Sequence, residues 1–369
     1  YNFKFDQIFG RDTPQPELFE TVGQPVCDRF LEGFNGTIFA YGQVFGDFFF
    51  LSSFCPFLPK RFEERGLLPR CIDYVFSQLS DLKATNASVL ITYLEIYNDT
   101  AYDLLNVASG SSARLPKVSV QDRGTSTVVH GLSQHPAPTD DVAHQLAFLG
   151  KSNRTVAATS MNMASSRSHS VFTMTLSYQR PGSDTIIKAK LNLVDLAGSE
   201  RVSKSHAAGQ RLDEAKHINL SLHYLEAVII ALQKETKLKH VPYRNSLLTK
   251  LLRDSLGGNC ITAMIATISS KASNIPESIS TCRFAQRVAL VDNNARRNEV
   301  LDDKTVIKRL RRRIAELQAE LKVAQEVGVA LEHVLSCTAP DRARVQPNAC
   351  LIYPDCAAID NDFCRWRGT

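Results

Sequence analysis

The sequence lacks the signatures of several protein classes. Its nine cysteines form no CxxC pair and no zinc-like spacing with histidine, which indicates reduced thiols rather than a disulfide framework or a zinc site. The excess of 43 Lys and Arg over 38 Asp and Glu is too small to indicate a nucleic-acid-binding protein. The start, YNFKFDQIFG, has no basic region ahead of an apolar core, so it predicts no signal peptide and is typical of the interior of a longer protein.

Long apolar runs are also missing. The strongest candidate, VFGDFFFLSSFCPFL over Val44–Leu58, is interrupted by Asp47 and Pro56. It is also shorter than the roughly 20 residues that a membrane-spanning helix needs. A membrane partner is therefore not expected.

What is present is an alternation of short apolar runs with amphipathic segments from residue 1 to about residue 293, which predicts an α/β fold with helices on both faces of a sheet. Strands are predicted where β-branched or aromatic runs are bounded by Gly, Asn or Pro, at Thr37–Tyr41, Ala87–Asn98, Ser170–Gln179 and Lys188–Gly198. Helices are predicted from apolar faces of period 3.6 at Pro16–Gly33, Thr139–Ala157 and Ile218–Glu235.

The C-terminal part has a different pattern. A polar segment after Val291, DNNARRNEVLDDK, predicts a linker. Beyond it, apolar positions alternate spacings of three and four and predict a short coiled coil over 305–335, through Ile307, Leu310, Ile314, Leu317, Leu321, Ala324, Gly328 and Leu331. A single amphipathic helix folded back on the domain is the alternative, because Ala324 and Gly328 weaken the seam. The tail, 336–369, has no periodicity and stays unassigned.

Two polar motifs carry candidate chemistry. In LNLVDLAGSER, an apolar strand ends in Asp195 and is followed by Gly198, an arrangement that can present a carboxylate to a Mg²⁺-bound water and a glycine amide to a terminal phosphate. Taken alone, D-x-x-G is equally typical of an ordinary strand-to-loop turn. The second motif, NMASSRSHSVF, offers hydroxyls and an arginine just before a strand, but a serine-rich loop is more often a turn or a phosphorylation site.

Together, NMASSRSH and DLAGSE resemble the two nucleotide-sensing switches of the kinesin motor family. The resemblance runs from FKFDQIFG to TCRFAQRVALV, about four-fifths of the chain, and includes YLEIYND and HVPYRNSLLTKLLRDSLGGN. NLSLHYLEAVIIAL and CRFAQRVALV are most similar to the kinesin-nine group, which is associated with cilia and flagella. The resemblance implies a P-loop NTPase-like fold with a mostly parallel sheet, ATP and Mg²⁺ as cofactors, microtubules (tubulin) as partner, and a place on the cytoskeleton in the cytoplasm or cilium.

The resemblance also implies roles for individual residues. It places Gly42, Gln43 and Asn162 around the nucleotide. Its catalytic positions lie in the two switches: Ser165 and Ser166 would contact Mg²⁺ and phosphate, Arg167 would pair with Glu200 when the switches close, Asp195 would act through a metal-bound water, and Gly198 would donate its N–H to the γ-phosphate. A purely structural ion pair is the alternative for Arg167 and Glu200. The position of this ion pair between two mobile loops would suit a switch whose closure is favoured only when a phosphate is present.

A track-binding face follows from the same resemblance. Its cations would meet the acidic surface of a microtubule in a salt-dependent way, and the candidate residues are Lys204, Lys216, Tyr243, Arg244, Lys250 and Arg253. For a single lysine such as Lys204, a solvated surface charge is an equally good interpretation. The implied organisation is a motor domain over 1–291, a neck-linker-like segment over 292–304 and the coiled coil, through which the chain would form a homodimer.

One departure from the family pattern concerns the phosphate loop, G-x-x-x-x-G-K-[ST]. Gly42 matches its first glycine, but the GK[ST] positions hold Asp47, Phe48 and Phe49. A carboxylate repels phosphates, and phenylalanine supplies neither a cation nor a hydroxyl, so we expect an impaired ATPase. A non-catalytic protein that binds microtubules or acts through its coiled coil is one alternative. A splicing or gene-model error is another, because the resemblance returns sharply at ERGLLPR and both switches are intact.

A second departure concerns the N-terminus. The family's motors begin with a cover strand and a central strand that ends in an Arg-x-Arg-Pro motif, and this sequence begins after them. We expect unpaired backbone groups on the strands beside the missing one, each costing on the order of 1–3 kcal/mol if buried.

Overall fold

The computed structural model describes residues 2–43, 65–81, 85–106, 115–122, 124, 127–160, 167–180, 185–198, 210–233, 240–301 and 303–337. The chain divides into two units, Tyr1–Asp302 and Asp303–Thr369. None of the helices in these ranges is long and apolar enough to cross a membrane.

The first unit alternates helices with strands. Its strands are β1 (Gly36–Gly42), β2 (Thr85–Tyr97), β3 (Thr100–Asp103), β4 (Lys117–Asp122), β5 (Thr127–His130), β6 (His135–Pro136), β7 (His169–Gln179), β8 (Thr185–Asp195), β9 (Ile261–Thr267) and β10 (Glu299–Leu301). Its helices are α1 (Gln15–Leu18), α2 (Gln24–Leu31), α3 (Leu67–Asp81), α4 (Asp140–Ser160), α5 (Gln210–Leu232), α6 (Leu247–Leu251) and α7 (Ile275–Ala289). A π-helical segment, Phe19–Gly23, joins α1 to α2.

The sheet has the strand order β5-β4-β3-β2-β7-β8-β1-β9, with β6 paired to β2 and β10 paired to β8. Among the described strands, only β1 pairs in parallel, with β8 on one side and β9 on the other; the other pairings there are antiparallel. The expected α/β class is confirmed, but the expectation of a mostly parallel sheet is wrong. The short connections β2–β3, β4–β5 and β7–β8 can only reverse the chain, whereas a parallel neighbour requires a crossover.

The central strands are buried on both faces because helices pack against each. In β1, Ile38 and Ala40 belong to one apolar cluster, which contains α2, α3 and α4, and Phe39 belongs to a second, which contains α5, α6 and α7. Successive side chains of a strand point to opposite faces, so β1 contributes to both clusters. The apolar run TIFAY is therefore a central strand of a covered sheet.

The predicted elements are present with shifted ends. The predicted helix Pro16–Gly33 is interrupted by the π-helical segment, and the predicted helix Ile218–Glu235 corresponds to α5, which begins at Gln210. Polar residues in the first turns of α5 gave no periodic apolar signal, which is why the pattern missed them. The predicted strand Lys188–Gly198 is β8, which ends at Asp195, so its last residues form the start of a loop.

Strand β9 is the edge of the sheet among the described residues, because its other side pairs with no strand there. Its seven residues, ITAMIAT, are all half-buried and carry no charge. An uncharged edge strand without proline has open hydrogen-bonding groups that can accept another strand.

The segment after Val291 lies along the sheet. The Asn293 amide donates to the carbonyl oxygens of Ser255 and Cys260, each at 3.0 Å, and its Oδ1 accepts the backbone N–H of Gly257 at 2.7 Å. Further along, β10 pairs antiparallel with the start of β8. The polar composition that predicts a linker thus reflects asparagine side chains that bind backbone groups.

The second unit contains helix α8, Asp303–Cys337. The apolar side chains of the predicted seam are exposed from Ile307 to Leu331. The exposed stripe has the heptad spacing, but the coiled coil itself stays a prediction.

Candidate functional site

The site predicted around Asp195 lies at one edge of the sheet, the one formed by the ends of the parallel strands rather than by an outer strand. Asp195 is the last residue of β8, and it pairs with Ala40 of β1. Two residues further along β1, Gly42 pairs with Thr267 at the end of β9. The carboxyl ends of three adjacent strands therefore meet at this edge, which is where ligand sites form in α/β sheets.

Asp195 is held by a buried arginine that the sequence analysis did not single out. Arg154 of α4 donates from Nη1 to Asp195 Oδ2 at 2.9 Å and from Nε to Glu95 Oε1 at 3.3 Å. Ser168 connects the same groups, since its hydroxyl donates to Glu95 Oε1 at 2.5 Å and its carbonyl oxygen accepts from Arg154 Nη2 at 3.0 Å. All four side chains are buried. Glu95 could have been noticed as a carboxylate inside the apolar run LITYLEIY.

The network keeps a fixed positive charge beside Asp195. Burial disfavours the charged form of Arg154, but the charges of Asp195 and Glu95 outweigh that effect and raise the pKa of Arg154. Burial also raises the pKa of the neighbouring Tyr93 to about 12. Arginine is thus charged at any physiological pH, and Asp195 always has a cationic partner.

His169 connects the two switch motifs. Its Nδ1 accepts the backbone N–H of Ala197 at 2.9 Å, so the ring proton is on Nε2, which donates to Ser221 Oγ of α5 at 2.9 Å. Burial, together with the positive charge of Arg154, lowers the pKa of His169 to about 3. A neutral imidazole therefore joins the strand after the first switch to the loop of the second switch and to α5.

The structure also describes the first two residues of the predicted phosphate loop, Gly42 and Gln43. Gly42 has φ +146°, and a Cβ at this position would overlap the carbonyl oxygen of Thr267. The next residue, Gln43, is buried, and its N–H donates to that same oxygen at 3.3 Å. Only glycine fits here, which agrees with its proposed place as the first glycine of the loop.

Several predicted site residues lie outside the described residues. These are the phosphate-loop positions Asp47, Phe48 and Phe49, the first-switch residues Asn162, Ser165 and Ser166, and Glu200 and Lys204. For Lys216, only its place in α5 is described. Arg167 and Gly198 are described at the ends of the two switch loops, so the pair of Arg167 with Glu200 stays a prediction.

Four of the six predicted track-binding residues, Tyr243, Arg244, Lys250 and Arg253, lie in or beside α6. The carboxylate of Asp122, at the end of β4, accepts from Arg244 Nε and Arg253 Nη1, both at 2.7 Å. Tyr243 donates its hydroxyl to the carbonyl oxygen of Leu256 at 2.6 Å, and the Arg253 guanidinium lies 5.1 Å from the Tyr243 ring centre. Tyr243 is therefore used inside the domain, whereas the Arg244 side chain is 67% exposed.

Comparison with known proteins agrees with this geometry. A model of the kinesin motor domain matches residues 1–291. The chain belongs to the kinesin motor domain family. A solved structure described as that of a fast kinesin is 36% identical, with a TM-score of 0.71, and the match covers 82% of this chain and 83% of that one.

This kinesin motor domain is similar to the kinesin-like protein KLP1 of Chlamydomonas reinhardtii, with 40% identity over 325 residues, covering 87% of this chain and 41% of KLP1. It is 37% identical to the kinesin-like protein KIF9 of Homo sapiens over 326 residues, covering 88% of this chain and 40% of KIF9. These relatives confirm the expected resemblance to the kinesin-nine group. The chain spans about two-fifths of the length of these relatives.

Proposed function

We propose that this chain is the motor domain of a microtubule-based motor, which couples ATP hydrolysis to movement along microtubules. The observation that carries the proposal is the bond between His169 and Ala197, which joins the two switch motifs directly and extends to α5. A change in either switch would move the other and α5 with it.

The described residues fit a site for ATP and Mg²⁺. Asp195 presents a buried carboxylate at the edge of the sheet, and Gly42 provides backbone without a Cβ beside it. Ser166 and, through water, Asp195 would hold Mg²⁺, which would neutralise phosphate charge when bound. Ser165 would contact phosphate, Gly198 would donate its N–H to it, and Arg167 with Glu200 would hold the switches closed.

Turnover of ATP is proposed to be impaired in this chain. Asp47, Phe48 and Phe49 replace the glycine, lysine and hydroxyl residue that bind the β- and γ-phosphates. The same residues favour a second candidate function, a protein that binds microtubules without hydrolysing ATP. The two candidates differ in nucleotide binding and share the track-binding face.

That face is proposed to comprise Lys204, Lys216, Tyr243, Arg244, Lys250 and Arg253. Arg244 and Arg253 would contact tubulin directly, with Tyr243 supporting Arg253 through its ring. The proposed location is the cytoskeleton, and the kinesin-nine relatives favour a cilium or flagellum.

A homodimer is proposed through α8. Isoleucine at the a positions 307 and 314 with leucine at the d positions 310 and 317 is the combination that favours a parallel two-stranded coiled coil. These side chains are exposed in the single chain, and pairing of two copies would bury them.

The test combines binding of a labelled ADP with Mg²⁺ and cosedimentation with microtubules. Saturable ADP binding that weakens when microtubules are added would support the motor function. Cosedimentation without ADP binding would support the non-catalytic alternative. Absence of both, in a sample that melts cooperatively, would refute both functions.

A further inference from the structure

Helix α6 and the residues on either side of it are held by three separate parts of the sheet. Asp99, in the turn between β2 and β3, accepts the backbone N–H of Leu247 at 2.8 Å. Thr127, at the start of β5, donates its hydroxyl to the carbonyl oxygen of Lys250 at 2.7 Å. Asp122, at the end of β4, binds the two arginines. The β4–β5 hairpin and α6 therefore form one surface, on which the cations are displayed.

Asp122 differs from the other two anchors because it binds charged side chains. Its Oδ1 accepts from Arg253 Nη1 at 2.7 Å and from the Gly124 N–H at 2.8 Å, and its Oδ2 accepts from Arg244 Nε at 2.7 Å. Its side chain is 8% exposed, against 67% for Arg244. The hydrogen bond from Arg244 and the one from Gly124 lower the pKa of Asp122, so the carboxylate is ionised at neutral pH.

The carboxylate of Asp122 lies where a carboxylate of an acidic partner would lie to bind the same two arginines. Asp122 accepts one N–H group of Arg244, on Nε, and one of Arg253, on Nη1, and a carboxylate of tubulin could otherwise accept these same groups. It also removes one unit of positive charge from the group of Arg244, Lys250 and Arg253. The attraction of these exposed cations to an acidic partner depends on their net charge and on the salt concentration.

We propose that Asp122 is an internal competitor for the track: its carboxylate binds Arg244 and Arg253 in the free domain and must yield Arg244 when an acidic surface of tubulin binds. The proposal rests on the proposed function, since it names tubulin as the acidic partner. Asp122 thereby weakens binding to the microtubule and speeds release from it. Among the described residues, the hydrogen-bond partners of its carboxylate are Arg244, Arg253 and Gly124, none of which is proposed to bind the nucleotide.

The test is cosedimentation with microtubules over a series of salt concentrations. The variant D122N keeps the shape of the side chain and an acceptor for Gly124, but removes the charge. We expect it to bind about five-fold more tightly at low salt and to lose affinity more steeply as salt rises. The control E32Q makes the same charge change at an exposed pair with Arg29 on α2, and it should bind like the unmodified chain.

A second variant identifies the group that is released. Compared with R244Q alone, D122N/R244Q should show no gain, because the arginine that D122N would free is absent from both. Equal or weaker binding by D122N, with a normal cooperative melt, would overturn the competitor role, as would a gain of the same size in E32Q. If the unmodified chain binds but D122N shows no gain, only this inference fails. If no variant binds at any salt concentration, the proposed function fails with it.

Discussion

The Nδ1 atom of His169 accepts the backbone N–H of Ala197 at 2.9 Å, while its Nε2 donates to Ser221. One neutral side chain thus holds together β7, the loop after β8 and helix α5. The imidazole adds polar bonds to the apolar packing of Leu196, which lies in the same cluster as Leu222 and Leu225 of α5.

Replacement of His169 should destabilise the domain. The variant H169A leaves the Ala197 N–H buried without its acceptor, which costs about 1–3 kcal/mol of the free energy of unfolding. Urea denaturation followed by circular dichroism measures the change. The control H130A removes an exposed histidine side chain whose only hydrogen-bond partner among the described residues is Gln121, and it should change stability by about 0.5 kcal/mol or less. Equal losses in the two variants would contradict the assignment.

Stability should depend on pH through the same residue. The pKa of His169 is about 3 in the folded chain and about 6.5 when unfolded, so folding favours the neutral ring. Its contribution is complete above pH 6.5 and is lost as the pH falls from 6.5 towards 3, by up to about 1.4 kcal/mol per pH unit. Urea midpoints between pH 7.5 and pH 5 should fall more for the unmodified chain than for H169N. Parallel pH profiles would show that His169 does not titrate in this way.

Loss of Arg154 should be more severe than loss of a surface arginine. The variant R154M leaves Asp195 and Glu95 buried without their cation, and we expect a loss of about 3–5 kcal/mol. The control R29M breaks an exposed pair with Glu32 and should cost about 0–1 kcal/mol. Thermal melts compare the two variants, and similar melting temperatures would exclude a stabilising role for the Arg154 network.

Repair of the phosphate loop should restore nucleotide affinity. The triple variant D47G/F48K/F49T supplies the missing glycine, cation and hydroxyl, and one charge-assisted bond to phosphate is worth roughly ten-fold or more in affinity. Fluorescence titration with a labelled ADP and Mg²⁺ gives the dissociation constant. The control D47G removes the repulsive carboxylate without adding a cation and should recover only part of the affinity. No gain in the triple variant would mean that other residues between Gln43 and Glu64 abolish binding.

Dimerisation should depend on the predicted heptad seam. The variant L317K places a charge at a d position and should convert a dimer to a monomer in analytical ultracentrifugation. The variant A319K adds the same charge at the outward f position of the same heptad and should leave the dimer intact. A monomer in the unmodified chain would favour the single amphipathic helix instead.

Much of the fold and part of the site were predictable from local patterns. The strand that ends at Asp195 and the glycine at position 42 were predictable because apolar runs and turn residues are recognised from a few neighbouring residues. The Arg154 network and the Asp122 cluster were not predictable, since Arg154 and Asp195 are 41 residues apart and Arg253 lies 131 residues from Asp122. A charged residue inside a helix or at a strand end looks the same in sequence whether it is solvated or paired.

The sequence by itself determined the α/β class, the kinesin resemblance through its two switch motifs, and the loss of the phosphate-binding lysine at Phe48. These properties reside in residue types at short, fixed spacings. Only the tertiary structure decided that the sheet is mixed, that His169 is a neutral connector and that Asp122 binds two arginines of the proposed track-binding face. Each of these depends on which distant segments pack together, because burial and a partner at hydrogen-bond distance determine the charge state and the role of a side chain.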